Sequence, residues 1–506
     1  MNGQSSCTEN LELQAAEQFF TENYPKLTDE QRIISDEIKQ KADESSGGFY
    51  FIDAFGGMGK TFTLNVIIDG IRKDGNIAIV TAASGIAATI LHNGFTAHSK
   101  LKIPIPIYND SVCNIGKRSA LYTEVRDAKI IIIDEISMLH RHAFEAIDRT
   151  LKVMTNNANE PFGGKLVVVS GDFCQILPVI PRGSRATIVG ATIKSSSLWE
   201  HVHIRHLTKN MRIENEIQQH EITEEERHHF ESFGTWLLKI GEGRYHCDPE
   251  HLNIIDIPER MWCNSTDGVI DQVFNNFDDN IGNKNYLLSR AILCAKNDTV
   301  LSVNNKILSM LPGNTFRFDS VDSIEKDNLN PTQFPVEYLN TIECSSLPTH
   351  IIELKVHSVV ILLRNLDTKR GHCNGTRYIV MAITAYRIEV RRLCATPDEQ
   401  NLLIPRIPMI LQESNYPFKL RRVQFPIKLA FAITFNRAQG QSLHKCGILL
   451  PAHVWTHGQL YVALSRCGNP NNVFITADQK AFKKKDFPCG INYMKNVVYP
   501  EISPAL

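Results

Sequence analysis

The chain has 506 residues, of which 43% are hydrophobic and 22% charged. These values are typical of a globular protein of roughly three or four domains, and they argue against a disordered or fibrous chain. The formal net charge of −1 gives no support to a nucleic-acid partner, so any such partner has to be argued from local sites.

Cysteine spacing and hydropathy exclude two further classes. Twelve cysteines occur, but none stands in a C-x-x-C pair, so the sequence predicts no zinc site and favours buried free thiols in a reducing compartment. No signal-peptide pattern opens the chain, and no apolar stretch is long enough to span a bilayer. We therefore expect neither a zinc protein nor a membrane protein.

The first predicted helix opens after a polar segment, residues 1–25. Thr28 and Gln31 have the spacing of a capping box, in which each side chain bonds the other residue's backbone N–H. A glutamine amide also matches the N6/N7 edge of adenine. Gln31 is therefore a candidate for both roles, and the two are compatible.

A phosphate-binding loop is predicted between an apolar strand at 49–52 and a helix whose apolar positions recur from residue 64 to 71. Gly57 and Gly59 would let backbone N–H groups surround a polyphosphate at the helix N-terminus. Lys60 would contact the β- and γ-phosphates, and the Thr61 hydroxyl would bind Mg²⁺.

The loop departs from the usual pattern at three positions. Ala54 stands where the first glycine is expected, and Phe55 and Met58 are bulky for such a loop. These departures raise the question of whether turnover is slowed.

Thr96, His98 and Ser99 follow the second predicted strand, in a short polar segment. Hydroxyl and imidazole groups on a loop suit contacts to phosphates or bases. Taken alone, however, a polar loop is more commonly a solvated one.

Two further strand ends carry candidate catalytic groups. Four isoleucines at 130–133 predict a buried parallel strand, and Asp134 and Glu135 follow it. Because chemistry in α/β sheets lies at the carboxyl ends of strands, Asp134 would complete the Mg²⁺ site and Glu135 would polarise the attacking water. Gln175 follows the next strand, 166–169, where a γ-phosphate sensor would lie.

Strands and helices alternate from residue 27 to 210, the pattern of a RecA-like ATPase sheet. Short β-branched runs separated by turn residues predict a small β-barrel inserted into a second α/β domain. The predicted fold class is therefore α/β, with two RecA-like P-loop NTPase domains and one inserted barrel. The predicted bounds are 1–25 for the polar segment, 26–210 for the first domain with a small insertion at about 100–126, 211–334 and 426–490 for the second domain, 335–425 for the barrel and 491–506 for a tail.

Taken together, these segments resemble the PIF-one-like helicases of superfamily one, with the Helitron-transposon branch the closest. The resemblance covers roughly residues 25–480, with the motifs in family order. The motifs that carry it are residues 94–99, 161–164, 171–180, 363–366, 373–377, 439–443 and 458–466.

The resemblance implies ATP-driven, 5′→3′ unwinding of DNA by two RecA-like domains, in recombination, repair, telomere maintenance or mobile-element replication. It implies that Arg212 and Arg466 reach the nucleotide and that Gly440 contacts it. It places the protein inside the cell, in the nucleus or in mitochondria of a eukaryote, and leaves its oligomeric state open. Single-stranded or forked DNA is the implied partner, contacted by Thr96, His98, Ser99, Asn374, Arg377, Thr434, Asn436, Gln439 and Ser442.

Arg466 also follows from helical spacing. Residues 458–466 read as a helix on which Gln459 and Arg466 lie about two turns apart, on one polar face. A guanidinium on that face suits a bidentate phosphate contact.

Two alternatives stay open at this level. The chain could be a catalytically impaired, DNA-binding relic of a transposon helicase, with a phosphate loop disturbed by Phe55 and Met58. It could also be another P-loop enzyme, such as a nucleotide kinase, although a kinase needs no second RecA-like half.

Overall fold

The computed structural model describes residues 2–219, 223–245, 253–325, 334–344, 346–367, 370–393, 400–411, 416–450, 454–477 and 493–502. The chain divides into two compact units. Unit 1 comprises Met1–Asp256, Val454–Asn469 and Met494–Leu506, and unit 2 comprises Ile257–His453 and Pro470–Tyr493. Two stretches from late in the sequence therefore complete the first unit.

Unit 1 is built on a parallel sheet with the strand order β3-β2-β4-β5-β1-β6. Because all its strands run in one direction, the residues that follow β1, β4 and β5 lie at one edge of the sheet. The strands of this unit are β1 (Gly48–Ala54), β2 (Ala78–Ala82), β3 (Phe95–Thr96), β4 (Ile130–Asp134), β5 (Leu166–Gly171), β6 (His203–Leu207) and, outside this sheet, β7 (Ile254–Asp256).

Both faces of this sheet are covered. Ile131 and Ile133 pack into one hydrophobic core, whereas Ile130 and Ile132 pack into the other, as expected for a strand buried on both sides. The covering helices are α1 (Asn2–Asn23), α2 (Asp29–Glu44), α3 (Lys60–Arg72), α4 (Gly85–Ile90), α5 (Ala97–Lys100), α6 (Ala120–Asp127), α7 (Arg141–Thr155), α8 (Arg185–Ala191), α9 (Met211–Gln219) and α10 (Glu224–Gly241).

Unit 2 contains a second parallel sheet, with the order β19-β8-β20-β21. Its strands are β8 (Arg290–Cys294), β19 (Ala432–Thr434), β20 (Lys445–Leu450) and β21 (Val473–Ala477). Its helices are α11 (Thr266–Val273), α12 (Lys284–Leu288), α13 (Asn297–Met310), α14 (Val336–Asn340) and α15 (Phe435–Ala438). Two parallel sheets, one in each unit, agree with the predicted pair of RecA-like domains.

The predicted inserted β-barrel is not confirmed. The strands between β8 and β19 form an antiparallel sheet β15-β14-β13-β12-β18, a smaller sheet β10-β17-β16 and the pair β11-β9. In the part of unit 2 that the structure describes, the edge strands β15 and β18 do not pair with each other. The strands are β9 (Phe316–Asp319), β10 (Val321–Ile324), β11 (Ile351–Leu354), β12 (Val359–Leu362), β13 (Arg377–Ile383), β14 (Arg387–Arg392), β15 (Leu402–Pro405), β16 (Ile407–Ile410), β17 (Leu420–Gln424) and β18 (Ile427–Leu429).

The last elements return the chain to unit 1. Helix α16 (Gln459–Leu464) lies within Val454–Asn469, whereas the prediction placed all of 426–490 in the second domain. Strand β22 (Tyr493–Lys495) pairs with β7. No helix among the described residues has the length and hydropathy needed to cross a lipid bilayer.

A fully buried ion pair organises the sheet β10-β17-β16. The Arg422 guanidinium donates to Asp322 Oδ1 at 2.9 Å and to Oδ2 at 2.6 Å, and both side chains are inaccessible to solvent. It also donates to the carbonyl oxygens of Leu339, Ile342 and Pro348 at 2.9–3.2 Å. The Arg422 guanidinium thus donates hydrogen bonds to three backbone carbonyl oxygens in and after α14.

We expect Asp322→Ala to lower the free energy of unfolding by ~3–5 kcal/mol, because it leaves the Arg422 charge buried without a counterion. Asp319→Ala is the matched control, because it removes an exposed ion pair with Arg317, worth only ~0–1 kcal/mol. Urea titrations of both variants measure the difference. Equal losses in the two variants would contradict the structural role of the buried pair.

Candidate functional site

The phosphate loop joins β1 to α3. Gly57 has φ 97° and Gly59 has φ 79°, backbone conformations that side chains with a Cβ rarely adopt. A Cβ at Gly59 would also lie 2.5 Å from Gln31 Nε2. The Lys60 ammonium donates to the carbonyl oxygen of Ala54 at 3.0 Å, so the loop folds back on its own lysine.

The structure accommodates the three unusual residues of the loop, Ala54, Phe55 and Met58. Ala54 is the last residue of β1, where an extended backbone accepts a Cβ. Met58 is buried in the hydrophobic core between the sheet and α3, and Phe55 packs against the same core. The Met58 and Phe55 side chains therefore stabilise the loop by packing against the hydrophobic core.

Gln31 touches this loop and also caps α2. Its backbone N–H and side chain complete the capping box with Thr28, and its Nε2 atom donates to the carbonyl oxygen of Met58 at 3.4 Å. The capping box is confirmed. The contact between Gln31 and adenine stays a prediction.

Asp134 is the last residue of β4 and Glu135 follows it, and both lie close to Lys60. Burial would lower the Lys60 pKa, but the charges of Glu135, Asp172 and Asp134 raise it. Burial and the neighbouring Glu135 charge raise the pKa of Asp134 to about 6. Lys60 is therefore a cation held among carboxylates, which is the environment that a transferring phosphate and its metal would share.

The residues present fit a Mg²⁺ ion. Thr61 is half-buried in the first turn of α3 and offers a hydroxyl, and Asp134 offers a carboxylate that already accepts from Ser170 Oγ at 2.5 Å. Hard oxygen donors of this kind are those that Mg²⁺ prefers. Glu135 Oε2 is buried and has no hydrogen-bond partner among the described residues, so an acceptor remains beside the site.

Gln175 follows β5 and is almost fully buried. Its Nε2 atom donates to Asp172 Oδ2 at 3.0 Å, whereas its Oε1 atom is buried without a hydrogen-bond partner in the described part of the chain. Burial raises the pKa of Asp172 to about 6. Asp172 is a site residue that the sequence reasoning did not assign, although it directly follows β5.

Both predicted arginines lie at the phosphate loop. The Arg212 backbone N–H donates to the Gly57 carbonyl oxygen at 3.1 Å, and its guanidinium donates to the Ser465 carbonyl oxygen at 2.5 Å. A Cβ built on Gly56 would lie 3.5 Å from Arg466 Nη2. Burial, with the charge of Arg466, lowers the Arg212 pKa to about 10. Two neighbouring cations at this loop favour an anionic ligand.

The structure thus gathers all the predicted catalytic residues in unit 1. They share one location, where the phosphate loop, the carboxyl ends of β4 and β5 and the start of α9 meet the end of α16. They are Lys60, Asp134, Glu135, Gln175, Arg212 and Arg466.

The segment Val454–Asn469 is fixed to unit 1 by specific contacts that the sequence reasoning missed. His457 shares a hydrogen bond of 2.7 Å with the Phe173 carbonyl oxygen, and burial lowers its pKa to about 4. Gly458 has φ 72°, and a Cβ there would lie 2.5 Å from the Cys174 carbonyl oxygen. Only glycine allows this approach. Tyr461 is buried and contacts Gly56 and Asp172.

The predicted DNA contacts of unit 1 lie where β3 passes into α5. Thr96 ends the strand, His98 is half-buried and Ser99 is exposed. Burial lowers the pKa of His98, so its imidazole is neutral near pH 7. These side chains are placed to donate and accept hydrogen bonds, and their contact with DNA stays a prediction.

The remaining predicted contacts belong to unit 2. Thr434 lines a cavity of about 270 Å³ together with Lys428, whose pKa burial lowers to about 8. Gln439 is buried with both amide atoms unpartnered among the described residues. Asn374 and Ser442 are exposed, Asn436 is half-buried, and Gly440 has φ 80°. The nucleotide contact of Gly440 and the DNA contacts of the others stay predictions.

Arg377 is buried in unit 2. Its Nη2 atom donates to the carbonyl oxygens of Leu287 and Arg290 at 3.3 and 3.2 Å. Burial lowers its pKa to about 10. In this structure the guanidinium links β13 to the end of α12, and the contact of Arg377 with DNA stays a prediction.

Comparisons with known proteins agree with this architecture. Residues 26–251 match the model of the PIF1-like helicase family, and residues 337–383 match that of the 2B domain of the DNA helicase Pif1. An ATP-dependent DNA helicase PIF1 of Danio rerio is 29% identical over an alignment of 456 residues, and the alignment covers 87% of this chain and 59% of that protein. The chain therefore spans about three fifths of the length of this curated relative.

Solved structures extend the match over both units. Bacteroides Pif1 bound to single-stranded DNA is 25% identical, with a TM-score of 0.63 over 93% of this chain and 99% of that one. A structure of two coordinating Pif1 helicases at forked double-stranded DNA is also 25% identical, with a TM-score of 0.62 over 93% of this chain and all of that one. The predicted RecA-like fold class is confirmed, and the Helitron placement stays a prediction. In its matched segments and its fold, the chain is similar to the PIF1-like helicases.

Proposed function

We propose that this chain is an ATP-dependent DNA helicase, which moves along single-stranded DNA and unwinds duplex in the 5′→3′ direction. The observation that carries the proposal is the convergence of Lys60, the Asp134–Glu135 pair and Arg466 at one phosphate loop. These are the groups that phosphoryl transfer to water requires: a cation for the phosphates, an acceptor for the proton of water, and a guanidinium for the developing charge. Similarity to the PIF1-like helicases, of which solved structures hold single-stranded or forked DNA, adds DNA as the partner.

Each group has a defined task in this proposal. Lys60 would leave the Ala54 carbonyl oxygen for the phosphates. Asp134 and Thr61 would hold Mg²⁺, which neutralises phosphate charge when bound. Glu135 would accept a proton from the attacking water through its unpartnered carboxylate oxygen. Arg212 and Arg466 would stabilise the negative charge that spreads over the transferring group.

Candidate DNA contacts occur in both units, at Thr96, His98 and Ser99 in unit 1 and at Thr434 and its neighbours in unit 2. A conformational change coupled to ATP hydrolysis would therefore act on bound single-stranded DNA through these contacts. Such an enzyme works inside the cell, in the nucleus or in mitochondria of a eukaryote. Recombination, repair, telomere maintenance and replication of a mobile element are the processes that we propose for it.

ATP hydrolysis, measured with and without single-stranded DNA, tests the proposal and separates the alternatives. We expect DNA-stimulated turnover on the order of 1–10³ s⁻¹, lost in folded Lys60→Ala, and unwinding of a duplex with a 5′ tail but not of one with a 3′ tail. DNA binding without turnover would support the relic. DNA-independent phosphate transfer to a nucleotide would support a kinase. Unwinding only from a 3′ tail would contradict the direction alone.

A further inference from the structure

The hydroxyl of Tyr461 bridges the phosphate loop and the group that holds Gln175. The Gly56 backbone N–H donates to Tyr461 Oη at 3.2 Å, and this hydroxyl donates to Asp172 Oδ2 at 3.1 Å. The same carboxylate oxygen accepts from Gln175 Nε2 at 3.0 Å. A continuous hydrogen-bond chain therefore runs from the loop backbone to the side-chain amide of Gln175.

The tyrosine is held in this place by its surroundings. Its ring lies against Gly241, where a Cβ would come within 2.9 Å of Tyr461 Cδ2 and 3.0 Å of Cys174 Cβ. One turn earlier, Gly458 packs on the backbone of Cys174 and Gln175. Because the side chain is fully enclosed, its hydroxyl can meet its hydrogen-bonding needs only through these partners.

The chain of hydrogen bonds fixes which atom of the Gln175 amide faces the site. A carboxylate accepts hydrogen bonds and cannot donate them, so Asp172 selects the NH₂ group of Gln175. The second Asp172 oxygen accepts from the Cys174 backbone N–H at 2.9 Å, so the hydrogen bonds from Cys174 and Tyr461 together hold the carboxylate in one orientation. The Gln175 carbonyl oxygen is thereby left as a buried acceptor without a partner among the described residues.

We propose that Tyr461 is a positioning residue for ATP hydrolysis, which holds Asp172 and Gln175 so that Gln175 Oε1 accepts a hydrogen bond from the attacking water. This inference rests on the proposed helicase function and deepens it. It assigns Gln175 as an acceptor for water, whereas a γ-phosphate sensor would have to donate through its NH₂ group. The same hydrogen bonds couple the phosphate loop to the attacking water. A shift of Gly56 on phosphate binding would move the Tyr461 hydroxyl, and with it Asp172 and Gln175.

The test is Tyr461→Phe, which deletes one oxygen and keeps the ring. Removing the hydroxyl frees the carboxylate and the amide to reorient, so we expect kcat for ATP with saturating oligo(dT) to fall ~10-fold, the effect of about one hydrogen bond. KM for ATP and the affinity for a fluorescent ATP analogue should change less than ~2-fold, because neither group is needed to hold the ground-state nucleotide.

Tyr50→Phe is the matched control. Tyr50 is another buried tyrosine of unit 1, and its hydroxyl lies near Glu37 on α2, away from the loop. Its loss should leave kcat unchanged. If Tyr461 has only a structural role, Tyr461→Phe should lower thermal stability and, like Tyr50→Phe, leave kcat unchanged.

A double-mutant cycle with Gln175→Ala separates positioning from a general defect. In that background Tyr461→Phe should change kcat less than ~2-fold, because the amide that it positions is gone. If Tyr461→Phe fails to fold, Asp172→Asn takes its place, since an asparagine cannot accept from Tyr461, Gln175 and Cys174 together.

Three results would overturn the inference. They are parent-like kcat in folded Tyr461→Phe, a change confined to KM, and a full further loss in the Gln175→Ala background. An unmodified protein that hydrolyses no ATP in the presence of oligo(dT) would overturn the proposed function as well, whereas an active parent with any of these three results would overturn only the role of Tyr461.

Discussion

Replacing Glu135 with glutamine is expected to lower DNA-stimulated kcat by ~10²–10⁴-fold, the usual contribution of a general base. Glutamine has the same shape, but its amide cannot take a proton from water. The Glu135 backbone, at φ 53°, should tolerate an isosteric side chain, and Oε2 has no partner in the described ranges whose loss would disturb the fold. Binding of Mg-ATP should therefore persist while turnover is lost.

Two comparisons make this result specific. Glu44→Gln removes a carboxylate at the exposed end of α2, where it accepts only from Gln40 at 2.7 Å, and it should turn over like the parent. Asp134→Ala should instead raise the Mg²⁺ concentration needed for activity. Normal turnover in folded Glu135→Gln, or identical Mg²⁺ titrations for the two site variants, would show that the roles are assigned wrongly.

The parts of the site that the sequence predicted are those with local causes. Lys60 and Thr61 come after a strand and a glycine turn, and this motif determines their backbone conformation. Asp134, Glu135 and Gln175 follow apolar runs typical of buried parallel strands, and strands of one sheet share an edge. Apolar runs and motif spacing were therefore sufficient to predict that these five side chains come together.

The parts that escaped prediction depend on long-range packing. Nothing in the spacing of residues 458–466 says that α16 returns to unit 1, because the contacts of His457 and Gly458 with residues 173–175 join positions nearly 300 apart in sequence. Asp172 lies within the motif 171–180, but its contact with Tyr461 joins distant parts of the chain and exists only in the folded protein.

Burial is a second property that the sequence did not show. The resemblance implied a DNA contact for Arg377, and the structure buries its guanidinium against two carbonyl oxygens. Alternating β-branched runs correctly predicted short strands between 335 and 425, but period-two alternation does not specify which strands close a barrel.

Arg466 carries the other large expected effect, because the structure places it against the phosphate loop. The guanidinium donates to the Val462 carbonyl oxygen at 2.8 Å and to Ser465 Oγ at 2.8 Å, which fixes its orientation. Nη2 is the atom nearest to a Cβ built on Gly56. The hydrogen bonds to α16 therefore hold a preformed cation beside the position of the phosphates.

Arg466→Ala should lose DNA-stimulated hydrolysis by ~10³–10⁵-fold, the contribution of an arginine that stabilises transferring phosphate. Single-stranded DNA should bind as in the parent, and ATP affinity should fall far less than kcat, because the contact strengthens in the transition state. Arg466→Lys should rescue poorly, since an ammonium cannot form the planar two-pronged contact.

Arg185→Ala provides the matched control for Arg466→Ala. Arg185 is also an arginine of unit 1, but it is half-exposed and pairs with the half-exposed Glu501, so its loss should cost little. ATP affinity, oligo(dT) affinity and stimulated turnover are to be measured on the same folded preparations. If Arg466→Ala turns over within about twofold of Arg185→Ala, the orders-of-magnitude contribution expected of a phosphate-stabilising arginine is absent. Arg466 would then have only a structural role, through its hydrogen bond to Val462 of α16. Arg212 and Lys60 alone would have to stabilise the charge on the transferring group.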